Sequence, residues 1–156
     1  MNALVVYDSR YGNTERIARA IADVLSAFGQ ARAVRAGETN SRQLAGADLL
    51  ILGSPTQGWR PTTGMQSFLD SMPSGLSGLS VASFDTRFQW PSLVTGSAAR
   101  RMAGKLRKMG TRLLLPPESF FVSGTEGPLK EGETERATDW ARLVHEKYAA
   151  RRSGGR

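Results

Sequence analysis

Five short runs rich in apolar residues punctuate the chain: Ala3–Tyr7, Ala31–Val34, Ala47–Leu52, Leu79–Phe84 and Ser119–Val122. Several are too continuously apolar to have a wet face, which suits strands of a parallel sheet covered on both sides. Between them the apolar residues fall back to helical spacing. Ile17, Ile21, Val24, Leu25 and Phe28 form one stripe, closed by Gly29. Met65, Phe68, Leu69 and Met72 form another, entered through Pro61-Thr62-Thr63. Ala99, Met102, Ala103, Leu106 and Met109 end at Gly110, and Ala137, Trp140, Ala141, Val144 and Tyr148 form the last. A shorter helix is expected near Asn40–Leu44, and Pro116-Pro117 is expected to delimit the fifth strand. Alternation of this kind predicts an α/β fold, a doubly wound parallel sheet with helices on both faces.

A chain of 156 residues is about one domain and buries roughly two-thirds of its unfolded surface. The absence of cysteine excludes disulfides, thiol catalysis and cysteine-ligated metal centres, and the single histidine, His145, leaves little for a metal site. His145 itself is expected on the surface of the last helix. No stretch approaches the ~18 apolar residues of a membrane span. A strand begins almost at once, so neither a signal peptide nor a transit segment is expected, and the setting is expected to be cytoplasmic. The expected division is a domain over 1–148 and a basic, disordered tail over 149–156.

The junction YDSRYGNTERIARAI, Tyr7 to Ile21, raises the first functional question. A buried strand stops at hydroxyls, an amide and a glycine, and a strongly amphipathic helix follows directly. In open α/β sheets ligands sit beyond the carboxyl ends of the strands, where a helix N-terminus offers free N–H groups and a positive dipole end. Ser9 and Thr14 add hydroxyls, Asn13 an amide, and Gly12 lets the backbone approach closely. No Gly-Lys-Ser/Thr follows, and a dinucleotide fingerprint needs more than Gly12. The loop reads as a site for one phosphate monoester.

Two further loops are expected on the same edge. The third strand ends in Gly53-Ser54-Pro55-Thr56-Gln57-Gly58-Trp59-Arg60-Pro61, and the fourth in Asp85-Thr86-Arg87-Phe88-Gln89-Trp90-Pro91. Taken singly, Trp59 or Trp90 reads as a packing residue. Three such loops on one edge, mixing backbone donors with flat apolar rings, suit a planar heteroaromatic ligand.

With these residues in place, the chain resembles the flavodoxin family. The family's phosphate signature is an apolar pair, an aromatic, a hydroxyl, then Gly-Asn-Thr and an alanine four residues later. Here it reads Val5-Val6-Tyr7-Asp8-Ser9-Arg10-Tyr11-Gly12-Asn13-Thr14-Glu15-Arg16-Ile17-Ala18. The resemblance implies a short-chain type with five parallel strands in order 2-1-3-4-5 and noncovalent FMN. By the same resemblance, Ser9, Arg10, Tyr11, Gly12, Asn13 and Thr14 would hold the phosphate, with Ser54, Pro55 and Thr56 close to the ribityl or phosphate end. Gln57-Gly58 falls where the family's peptide meets the reduced flavin, and Asp85, Thr86, Arg87, Phe88 and Trp90 would line the other side of the ring. Gln57 replaces the usual inner-face stacking residue, with Trp59 two positions on, and Phe88 and Trp90 stand in place of the usual outer tyrosine.

Charge departs from the resemblance, since familiar flavodoxins are acidic and this chain carries a net +7 with a pI near 10.5. Seven cations and no acid lie between Thr86 and Pro117; the remainder of the chain holds fourteen of each sign and is neutral. Arg100, Arg101, Lys105, Arg107 and Lys108 fall opposite the apolar stripe of one helix. Such a face suits an acidic redox protein, ahead of anionic lipid, and nucleic acid is disfavoured because no binding motif accompanies the cations. Arg10, Arg60 and Arg87 lie in the proposed flavin loops, where positive charge would make the semiquinone–hydroquinone potential less negative. Two functional classes stay open. One is an electron carrier working through flavin semiquinone and hydroquinone. The other is an FMN-dependent oxidoreductase acting on a quinone or porphyrinogen-like substrate, with Arg87 available to an acidic group. No catalytic residue is assigned. Receiver-type signalling is discarded, because Gly53-Ser54 stands where a phosphoacceptor aspartate would end the third strand.

Overall fold

The computed structural model describes residues 1–155. Its elements are β1 (Asn2–Tyr7), α1 (Asn13–Leu25), β2 (Gln30–Arg35), α2 (Ser41–Ala45), β3 (Leu49–Pro55), α3 (Thr63–Asp70), β4 (Ser80–Phe88), α4 (Ser92–Thr95), α5 (Ala98–Lys108), β5 (Arg112–Leu113), β6 (Glu118–Val122) and α6 (Glu133–Gly154). The strands are parallel in the order β2-β1-β3-β4-β5, and β6 also pairs with β4.

The period-2 alternation of a strand explains why both faces are apolar. Ala3, Val5, Tyr7, Leu49 and Ile51 pack with Ile17, Ile21, Leu25, Ala141 and Val144 of α1 and α6. The intervening residues Leu4, Val6, Leu50 and Leu52 pack with Leu44, Met65, Phe68, Met102 and Leu106 of α2, α3 and α5. Under α6, Phe84, Phe120 and Trp140 meet edge to face with centroids 5.8–6.1 Å apart. Asn40, Thr62 and Ser97 cap α2, α3 and α5 by accepting backbone N–H bonds, as their hydroxyl and amide chemistry favours.

The fold class and the strand order implied by the resemblance are as expected, with five local differences. The fifth strand position is filled by two segments: β5 pairs with Ser80–Val81 and β6 with Phe84–Phe88. Pro116-Pro117 lies between them and offers no N–H to a ladder. β3 and β4 run on to Pro55 and Phe88, so part of the expected loops is strand, held by the ladder between Gly53–Pro55 and Phe84–Thr86. The four-residue helix α4 has no apolar period long enough to announce it. The helix α6 continues to Gly154 where a disordered tail was expected. Arg151 explains this by donating to Ser80 Oγ and, at 2.7 Å, to the Gly78 carbonyl. Arg156 lies outside the described residues. His145 is half-buried, stacked on Phe28 at 3.8 Å between ring centroids, rather than free on the surface.

The start of α6 is fastened to β6 by one carboxylate. Glu133 accepts the Phe121 N–H at 2.7 Å and the Arg136 guanidinium at 2.7 and 3.1 Å. Burial pushes this carboxyl up, but Arg136 and the Phe121 N–H together hold it below the usual glutamate range. A depressed folded-state pKa stabilises the fold above the unfolded value and loses that contribution as pH falls through the folded one. Glu133→Gln is therefore expected to lower the urea midpoint at pH 7 and to leave a smaller loss between pH 5 and pH 3 than the wild type shows. An unchanged acid limb would rule this fastening out.

Candidate functional site

A cavity of about 340 Å³ opens at the carboxyl ends of β1, β3 and β4. From the first loop it is lined by Ser9, Arg10, Tyr11, Asn13 and Thr14, and from the second by Pro55, Thr56, Gln57, Gly58 and Trp59. Thr86, Arg87, Phe88 and Trp90 come from β4 and its loop. Three expected residues do not line it. Gly12 contributes backbone at the start of α1, and the Ser54 and Asp85 side chains point elsewhere. Val94, Thr95, Val122 and Thr125 line it without having been expected. Val94 and Thr95 belong to the short α4, and Val122 reaches the cavity because β6 ends there.

At the first loop, α1 starts from Gly12 with no side-chain cap, unlike α2, α3 and α5. The Gly12 N–H donates to Ser9 Oγ at 3.1 Å, and the Ser9 N–H to Asp8 at 3.0 Å. The N–H groups of Arg10, Tyr11, Asn13, Thr14 and Glu15 have no acceptor among the described residues. Thr14 and Thr86 hydroxyls meet at 2.8 Å in the interior. Two hydroxyls share one bond there, so one O–H proton stays available to a further acceptor. Behind the loop, Tyr7 donates to Glu15 at 2.8 Å, and Arg35 of β2 reaches the Ser9 carbonyl at 3.2 Å. The Tyr7 hydroxyl and the adjacent Arg19 hold the Glu15 carboxyl below its usual range, while burial and Glu15 push the Tyr7 phenol up. Uncapped N–H donors, a helix dipole and hydroxyls form an anion cradle. That donor set fits a phosphate.

The second loop is a tight reversal in which Gln57 and Arg60 exchange backbone bonds of 2.8 and 3.0 Å. Both central residues have positive φ, 52° at Gly58 and 72° at Trp59. A glycine takes such a value at no cost, but a bulky residue is strained there by about 1–3 kcal/mol. Two neighbours hold Trp59 in place. Arg101 Nε donates to its carbonyl at 2.8 Å, and Gly96 lies so close that a Cβ would stand 2.6 Å from the Trp59 Cα. Trp59 is 48% exposed at the cavity mouth, whose lining also includes Phe88 and Trp90, stacked on each other at 5.8 Å.

The sequence matches the flavodoxin domain over residues 4–111. The chain belongs to the flavodoxin family. Solved structures agree with that assignment. A flavodoxin from the domain Archaea superposes with a TM-score of 0.81 at 22% identity, covering 96% of this chain and 99% of the other. Oxidised flavodoxin 2 from Bacillus cereus gives 0.78 at 26% identity over 94% and 99%. Two-electron reduced Megasphaera elsdenii flavodoxin gives 0.69 at 22% identity over 89% and 97%. No protein of curated function matches the sequence.

Within this family frame, Asp85 and Arg87 hold the site together, Asp85 from behind the cavity wall and Arg87 from within it. Asp85 is fully buried; its Oδ2 accepts Thr56 Oγ1 at 3.1 Å, Ser97 Oγ at 2.7 Å and the Ala99 N–H at 3.1 Å. It thus binds the N-terminal turn of α5 to the second loop, while Arg87 Nε lies 3.7 Å from its Oδ1. Arg87 also donates to the carbonyls of Phe88 and Trp90 and to the hydroxyls of Thr95 and Ser119. Its side chain is only 13% exposed. It lines the cavity and at the same time braces the 88–95 loop. Ser54 is internal, accepting the Thr62 N–H at 3.1 Å and donating to the Pro55 carbonyl. Arg60 points into a separate groove, which leaves Arg10 and the braced Arg87 as the cations of the cavity wall. Asp85→Ala would strand two hydroxyls and one N–H in the interior. We expect it to cost about 3 kcal/mol, read as a lower urea midpoint, with Asp85→Asn costing less. A loss below about 1 kcal/mol would contradict the bonding described.

Proposed function

We propose that the chain binds FMN in this cavity and serves as an electron carrier between redox proteins. The observation that carries the reading is the uncapped start of α1, whose free N–H donors open into a cavity rimmed at its far end by Trp59, Phe88 and Trp90. The 9–14 loop would hold the phosphate, Thr14 and Thr86 would supply the remaining hydroxyl proton, and the three aromatic side chains would flank the ring. When bound, FMN supplies one- and two-electron redox chemistry. Arg10, exposed and without an ion pair among the described residues, would favour negative charge at the site, weakened by solvent screening.

Carrier is favoured over oxidoreductase because Arg87, the cation best placed for an acidic substrate, is committed to the loop carbonyls. The outer surface also suits protein contact. Trp90, Leu93 and Val94 are 61%, 85% and 56% exposed beside the cavity, and the cations of α5 are exposed next to it. An apolar centre with a charged border is the usual anatomy of a protein interface. We assign that surface to an acidic redox partner, attracted by the local excess of positive charge. Among the described residues, no helix is long and apolar enough to cross a membrane.

The deciding experiment is a titration of flavin-free protein with FMN, followed by stepwise reduction under a visible spectrum. Tight binding with two resolved one-electron steps is expected. A single two-electron step would transfer the assignment to an oxidoreductase, and failure to bind would remove the cofactor. In the same titration Thr14→Val should weaken FMN about tenfold or more, the value of one hydrogen bond to a charged acceptor. Equal affinity would exclude Thr14 from the cradle.

A further inference from the structure

The cations of α5 do not form one face. Arg101, Lys105 and Lys108 follow at helical spacing and, with Arg60 of the reversal, line a groove of about 330 Å³ between α3 and α5. Pro61 and Leu69 give it an apolar floor, and among the described residues no acidic side chain lines it. Arg100 and Arg107, one heptad apart, share a different flank of the same helix and lie outside the groove.

The arrangement of the charges selects the occupant. A helix rises about 1.5 Å per residue, so the three α5 cations form a row about 10 Å long with steps of about 6 and 4.5 Å. That is the spacing at which an acidic helix presents carboxylates three or four residues apart. A compact dianion would be better served by cations converging on one point. The row already accepts one carboxylate from its own chain, since Lys105 Nζ lies 2.8 Å from Asp70 Oδ1 at the groove edge.

Arg101 belongs to both sites. Its Nε holds the carbonyl of Trp59 at 2.8 Å, whereas its two terminal amino groups have no acceptor among the described residues. A carboxylate arriving in the groove would draw that guanidinium toward itself. The strained Trp59 turn, at the mouth of the cofactor cavity, would lose or reorient the bond that holds it.

We propose that the groove between α3 and α5 receives an acidic segment of the redox partner, and that Arg101 transmits its occupancy to Trp59. The inference rests on the reading of α5 as a docking surface and adds where on it the partner sits and what the contact does. Arg101 is a positioning residue, acting on the cavity through the backbone of Trp59.

The test uses the full chain, an octaglutamate peptide as probe at low ionic strength, and the indole N–H resonance of Trp59, assigned with Trp59→Phe. The peptide should bind and move that resonance. Lys105→Gln with Lys108→Gln should weaken binding about five- to tenfold, whereas Arg100→Gln with Arg107→Gln, which removes equal charge, should change it by less than about twofold. At saturating peptide, Arg101→Lys should leave the Trp59 resonance where it stands without peptide. Equal weakening by the two pairs would overturn the groove and leave a diffuse docking face standing. A Trp59 resonance that moves identically in Arg101→Lys would overturn the transmission. No binding to the wild type would remove the docking surface and this inference together.

Discussion

The functional end of this molecule depends on a carboxylate that no ligand would touch. Asp85 stands at the end of the central ladder, and its Oδ2 gathers the second loop, through Thr56, and the first turn of α5, through Ser97 and Ala99. Its Oδ1 faces Arg87, which in turn gathers the carbonyls of the third loop. A buried charge is tolerable only where hydrogen bonds and an opposite charge replace water. Here Oδ2 is satisfied by groups from the second loop and α5, while Oδ1 makes no hydrogen bond and is compensated by the Arg87 charge 3.7 Å away. Two loops and a helix are thereby fixed relative to one another before any cofactor is considered.

The same logic explains what was legible in the sequence. The two helical layers follow from apolar periodicity, because Leu4 and Val6 must find one layer while Val5 and Tyr7 find the other, whereas the sheet order was implied only by the family resemblance of the Gly12-Asn13-Thr14 loop. The anion cradle at the start of α1 is legible because local chain chemistry makes it: a strand end, small polar residues and a helix start are contiguous in sequence. The bracing by Asp85 and Arg87 was not legible for the opposite reason. Their positions after a strand suggest a ligand loop, but their partners at Ser97, Thr95 and Ser119 are separated in sequence, and only packing brings them close. Arg35, which reaches the Ser9 carbonyl from β2, was invisible on the same account. The length of α6 depends on Arg151 finding Gly78, a contact that composition could not foretell from a tail rich in arginine and glycine.

The basic character also divides once side chains are placed. Net charge suggests one cationic face, yet Arg87 is internal, Arg101 is half committed to Trp59, and Lys105 is paired with Asp70. What remains is patterned rather than merely positive. Patterned charge can choose the orientation of a partner as well as attract it.

The anchoring of α6 has a practical consequence for how the molecule could be handled. Arg151 fixes the end of the last helix to Ser80 and Gly78, at the beginning of β4, whereas the cavity lies beyond the end of that strand. The two poles are separated by the full nine residues of β4, about 30 Å of extended chain at most. A chain attached to an electrode or bead through its final helix would therefore present the aromatic rim outward, with every molecule facing the solution in the same sense.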